Sequence, residues 1–210
     1  MKAFIIHLSL SASVLLQGYA LADGNDLSAP KDYKSEAECV GDKSSFLALD
    51  YMSFDQDPKI GYRSVLMQPG CELVAADLIR DYHKALRDKG DPVLLTVPEG
   101  SFPISENGEL SILYWHEGQI RAFEGQFTQA QSLFSASLKP TEQSNRGWNE
   151  YVRGSIAFLE NDLDELKRQR DLMAGSKNPS QLNLGVLDGL IACFGRPYAE
   201  AYGSTDCNRR

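Results

Sequence analysis

Histidine is scarce in this chain, with three in 210 residues. One of them, His7, lies in an apolar N-terminal stretch, which leaves His83 and His116 for the rest. A Cys/His metal site is therefore poorly supplied. The four cysteines, Cys39, Cys71, Cys193 and Cys207, contain no C-x-x-C pair, which argues against a thioredoxin-like redox centre and against a zinc ribbon. The chain lacks a G-x-S-x-G elbow, an H-E-x-x-H helix and a phosphate-binding P-loop. Asp55-Gln56-Asp57 opens like a calcium loop, but Pro58 and Lys59 follow and no glycine stands at the sixth position. No metal or other cofactor is expected.

Positive charge is also in short supply. Twenty-one basic residues face 29 acidic ones, for a formal net charge of −8. Nucleic acid and anionic membrane surfaces both reward a basic patch, so neither is expected as a partner. Beyond residue 22 no run is long and apolar enough to span a bilayer.

What the sequence does contain begins with a leader. Lys2 supplies a short positive start, Ala3 to Leu16 is almost wholly apolar, and Ala20-Leu21-Ala22 ends it with small residues at the spacing of a cleavage site. Residues 1–22 are read as a signal peptide and Asp23 as the mature N-terminus, which places the protein in the periplasm or outside the cell. Loss of Lys2 with the leader takes the formal charge from −8 to −9. An even number of cysteines in an exported chain reads as two disulfides. Of three formal pairings, Cys39–Cys71 with Cys193–Cys207 closes the smaller loops and ties each helix to the irregular segment beside it.

The rest suits one domain or one short repeat array. A chain of this size buries roughly 70% of its unfolded surface. Residues 23–44 read as an N-terminal arm with one helical turn near Glu36 to Val40, and residues 45–210 as a helical domain. Phe46, Leu47, Asp50, Tyr51 and Phe54 recur at helical spacing up to Asp55. Ile60 to Met67 is a short helical stretch. In Cys71 to Arg87, Val74, Ala75, Leu78, Ile79, Tyr82 and Leu86 share one face. Residues 92–108 hold three prolines and read as an ordered loop, since the β-prone run Val93 to Val97 cannot make a sheet alone. Helical patterns then follow through Leu113 to Phe123, Ala130 to Leu138, Trp148 to Leu159, Leu163 to Met173 and Leu184 to Phe194. Thr128 with Gln131 offers a capping box for the second of these, Asp162 with Glu165 an acidic start for the fourth, and Pro197 the first residue of a last short helix.

The helices repeat. Gly118, Gly154 and Gly189 lie 36 and 35 residues apart, each inside the first helix of a pair. Gly125, Asn161 and Gly195 follow six or seven residues later, where a tight turn needs positive φ. A small residue lets two helix backbones approach, and apolar residues on the second helix fill the gap. Gly118…Gly125-Gln126-Phe127…Ala130…Phe134…Leu138-Lys139-Pro140 resembles the tetratricopeptide repeat. Gly154…Asn161-Asp162-Leu163…Leu166…Met173 resembles it with Arg170 where the large aromatic belongs, and Gly70…Ala75…Ile79…Tyr82 is a fainter echo. The resemblance implies an all-α fold of stacked antiparallel helix pairs, wound as a superhelix. It also implies a concave groove lined three residues before and one after each small residue. Those positions fall on Trp115 and Gln119 in one pair and on Tyr151 and Ser155 in the next, with Trp148 one turn earlier.

Aromatic rings with polar tips suit peptide recognition. The same aromatics equally suit a helical core, and the sequence leaves both readings standing. The basic and asparagine residues with which such domains clamp a C-terminal carboxylate are missing from these positions. The leading expectation is an exported, non-enzymatic protein that binds a protein or peptide partner. One rival is a small exported enzyme with His116 as acid or base. Its neighbour Glu117 does not share its helix face, because side chains meet at spacings of three and four. A second rival is a binder of a small apolar ligand held between residues 92–108 and the helices.

Overall fold

The computed structural model describes residues 31–89, 93–97, 100–104, 110–141, 144 and 146–207, and of residues 93–104 only the backbone. The proposed leader, Asp23 and the first part of the arm lie outside these residues. The fold is all-α. Among the described residues four short helices come first, α1 (Glu36–Cys39), α2 (Lys43–Leu47), α3 (Tyr51–Asp55) and α4 (Tyr62–Leu66), followed by the long α5 (Glu72–Lys89). After a two-stranded insertion come α6 (Ser111–Phe123), α7 (Phe127–Ala136), α8 (Trp148–Leu159), α9 (Leu163–Ala174), α10 (Gln181–Ala192) and α11 (Tyr198–Gly203).

The local reasons are visible. Asp50 caps α3 by accepting from the Ser53 N–H at 3.0 Å, and this cap splits the single helix expected from Phe46 to Phe54 into α2 and α3. A capping carboxylate outcompetes continuation of a short helix. Asp162 caps α9 through the Glu165 N–H at 2.9 Å, as its spacing suggests. The Thr128 capping box does not form. Helix α7 starts earlier, at Phe127, with Gln126 in the cap position and no side-chain cap bond. Pro197 stands in the cap position, one residue before α11, rather than as its first residue.

Residues 92–108 hold a hairpin where an irregular loop is expected. β1 (Val93–Val97) pairs antiparallel with β2 (Gly100–Ile104), Val93 opposite Ile104 and Val97 opposite Gly100. The second strand, Gly-Ser-Phe-Pro-Ile, carries glycine and proline, residues depleted from strands. Its pairing comes from its nearness to β1 along the chain rather than from its composition. The ribbon lies beside α3.

Helices adjacent in sequence pack on each other: α6 on α7, α8 on α9, and α10 on α9 and α11. Three residues join α6 to α7 and α8 to α9, so each of these pairs must run antiparallel. Gly125, Asn161 and Gly195 all take positive φ at the turns. Gly118 and Gly154 sit where helices meet. A Cβ on Gly118 would lie 2.8 Å from the Phe134 ring, and one on Gly154 would lie 2.8 Å from Leu187.

Two cores result. One gathers Phe54, Tyr62, Val65, Ile79, Tyr82 and Leu113 around α3–α5. The other gathers Trp115, Phe134, Tyr151, Leu166, Leu187 and Tyr198 around α7–α11. Helix α6 feeds both and is the spine between them. Cys39–Cys71 fastens the arm to the start of α5, and Cys193–Cys207 fastens the C-terminal segment to the end of α10. Both pairings are the expected ones. No described helix is long and apolar enough to cross a membrane.

Candidate functional site

Helix α6 places Trp115 one turn before Gly118, because residues three and four apart share a face. Helix α8 places Tyr151 in the same relation to Gly154. Helix α7 packs on both α6 and α8, and the three expected aromatics come together. The Trp115 ring lies 4.8 Å from Tyr151 and 5.5 Å from Trp148. It also stacks on Phe134 at 4.3 Å, which fixes it against the second helix of its own pair.

The surroundings differ from those of an open groove. Trp115, Tyr151 and Ser155 are buried, at 4%, 2% and 0% exposure. They belong to the core, as the alternative reading of these aromatics has it, and none is presented to solvent. Trp148 and Gln119 are half-buried. Trp148 is also committed structurally: its indole N–H donates to the Ser137 carbonyl at 2.9 Å, and Lys139 Nζ sits 5.2 Å above its ring.

Helix α10 packs on α8, and the C-terminal helix α11 adds a tyrosine against each of Tyr151 and Ser155. Tyr151 Oη and Tyr202 Oη are 3.0 Å apart in a hydrogen bond. Ser155 donates back to the Tyr151 carbonyl at 3.0 Å, and its hydroxyl lies beside that of Tyr198. Burial, and then the neighbouring tyrosines, push the Tyr151 phenol well above its usual pKa. Burial does the same to Tyr198, with the Tyr202 phenol next, while the Ser155 hydroxyl offsets part of the rise. These phenols stay protonated and act as neutral hydrogen-bonding groups. Tyr198 and Tyr202 escape a reading of the sequence. Their segment keeps only half a repeat, and nothing local says that a six-residue helix folds back 40 to 50 residues along the chain.

His116 has a partner that the sequence does not suggest. Its Nδ1 lies 2.7 Å from Asp55 Oδ1, 61 residues away, and the Asp55 side chain has no exposure. Gln56 Nε2 donates to the other carboxylate oxygen, and Arg63 Nε donates to the Asp55 backbone carbonyl at 2.7 Å. The Tyr62 ring centroid stands 5.9 Å from the imidazole. Glu117, adjacent in sequence, instead pairs with Arg121, at 2.8 Å between Nε and the carboxylate. Arg121 reaches Asp77 on α5 and Gln126 at the α6–α7 turn as well. Burial, partly countered by Arg121, raises the Glu117 pKa.

A carboxylate that fixes Nδ1 leaves Nε2 of an imidazole as the atom able to take or give a proton. Among the described residues no group of three or more His, Cys, Asp or Glu side chains is arranged to hold a metal ion. Comparison of the chain with protein-family models, with curated protein sequences and with solved structures gives no match.

Proposed function

We propose that this is an exported interaction protein, of tetratricopeptide-like design, that takes a peptide or protein segment on the inner face of α6 and α8. One observation carries the reading. The chain lays a short aromatic helix of its own on that face, with Tyr202 hydrogen-bonded to Tyr151 and Tyr198 beside Ser155. A surface that accepts one helix through aromatic packing and tyrosine hydroxyls is built from the groups that dominate binding hot spots. Two disulfides suit the periplasm or extracellular space, where such bonds persist.

The test uses the processed protein as bait in material from the exporting cell, with three forms compared. Gln119→Ala, at a half-buried groove position, is expected to weaken capture while leaving the melting curve in place. Tyr151→Ala is expected to lower stability by about 3–5 kcal/mol, as truncation of a buried aromatic does, and to lose capture with the fold. Equal capture by wild type and Gln119→Ala at the same melting temperature would count against this face.

The His116–Asp55 pair favours a second reading, a small exported enzyme with His116 as acid or base. In that case His116→Gln abolishes a turnover that wild type shows and leaves partner capture intact. Loss of capture without any turnover in wild type would return the pair to a structural role.

A further inference from the structure

Helix α11 occupies the face assigned above to a partner. Tyr198 and Tyr202 stand at i and i+4, so both point to one side of the helix. The Tyr198 ring packs 5.5 Å from Phe123 of α6, 6.4 Å from Phe134 of α7 and 5.7 Å from Phe158 of α8. Tyr202 adds a second contact to Phe123 at 5.3 Å and the bond to Tyr151. Ala201, between them, is fully buried. The positions on α8 that the repeat resemblance gives to ligand contact, Tyr151 and Ser155, thus each meet one tyrosine of α11.

Two features set α11 apart from the paired helices. It has six residues, well below the roughly 12–15 that sustain an isolated helix in water, so its order comes from where it docks and from the Cys193–Cys207 bond that closes its segment. The second feature is the Tyr198 hydroxyl, which is buried without a hydrogen-bond partner of good geometry. A buried polar group left unmatched weakens the seat it sits in.

We propose that α11 is an intramolecular occupant of the α6/α8 groove, and that the external partner is a short helical segment carrying aromatic side chains at i and i+4 that competes for the same seat. This inference rests on the binding face described under the proposed function. The five residues that join α10 to α11 keep it at high effective concentration over the groove, and the Cys193–Cys207 bond, by closing the far end of the segment, strengthens that competition.

The probe is a fluorescein-labelled peptide with the sequence of residues 196–206. Its anisotropy is measured against the full processed chain and against the same chain carrying Cys193→Ser with Cys207→Ser. Amide exchange in α11 is followed on both samples. The expected result is faster exchange in α11 of the double variant, together with peptide binding at least roughly tenfold tighter than to wild type. A control peptide with alanine at both tyrosine positions is expected not to bind. Tyr202→Ala, with both disulfides intact, gives the same readout if the double variant does not fold.

Protected α11 amides in both variants with no peptide binding would overturn the proposal: α11 is then a fixed cap, and the binding face must be sought elsewhere. Exposed α11 amides with no peptide binding would instead remove the groove itself, and with it the reading on which the proposal rests.

Discussion

At the scale of single residues, the glycines inside helices show how sequence spacing becomes packing. Gly154 faces Leu187 of α10 and, at 3.5 Å from a built Cβ, Leu166 of α9. A side chain there must displace the Leu187 methyl groups. Gly154→Leu is expected to cost about 1–3 kcal/mol through overpacking, seen as a lower melting temperature at unchanged helix content. An unshifted melting curve would mean that Leu187 moves aside freely. Gly118 is equally tight, but its neighbour is the Phe134 ring that stacks on Trp115, so a substitution there would also disturb the aromatic cluster. The spacing of these glycines is legible in the sequence. Which helix each one meets is not: Gly154 sits nearer to a helix of the next pair than to its own partner.

At the scale of elements, α9 shows how local charge sets a helix's pH response. Asp162 caps it, and Glu165 in its first turn is held by Arg168 and then Gln169, with its pKa lowered from 4.5 to about 2. A folded pKa below the unfolded one means that the unfolded chain binds more protons between those values. Stability from Glu165 is thus fully present above pH 4.5 and is lost as pH falls towards 2. Glu117 has the opposite sign. Burial raises its pKa, so it opposes folding as pH rises above 4.5 through the raised value. Acid titration of wild type and Glu165→Gln separates the two. The gap between their melting temperatures is expected to be widest above pH 4.5 and to close as pH approaches 2. A gap that stayed constant down to pH 2 would show that Arg168 and Gln169 do not hold Glu165 in solution.

Elements also show where local reading stops. The Asp162 cap and the positive-φ turns at Gly125, Asn161 and Gly195 are read directly from residue type, because the backbone groups involved lie within a few residues. The hairpin is missed because β2 exists only by pairing with β1. The break between α2 and α3 is missed because Asp50 suits both a helix face and a cap, and the periodicity does not say which use prevails.

At the scale of the whole molecule, the question is what joins the two cores. Helix α6 is shared, and His116 ties it to the end of α3 through buried Asp55. His116→Ala leaves one oxygen of a fully buried carboxylate without its partner, which costs about 1–3 kcal/mol or more for a charged group. The expected outcome is a lower melting temperature with faster amide exchange in α3 and α4, while α8–α10 keep their protection. Uniform loss of protection over the chain would mean that the two cores unfold as one unit and that the tie is not local to the first.

By itself the sequence determined the helical class, both disulfide pairings, the turn residues and the close-contact glycines. Each of these depends on period, short-range geometry or loop length, which neighbours along the chain already fix. Only the tertiary structure decided the fate of the aromatic residues and of the histidine. Trp115, Tyr151 and Ser155 stand where the repeat resemblance implies a groove, yet α11 and the facing helices enclose them. His116 finds its carboxylate 61 residues back rather than in adjacent Glu117. Exposure and pairing of this kind are set by which distant surfaces meet, and a surface's partner is a property of the packed chain rather than of any segment within it.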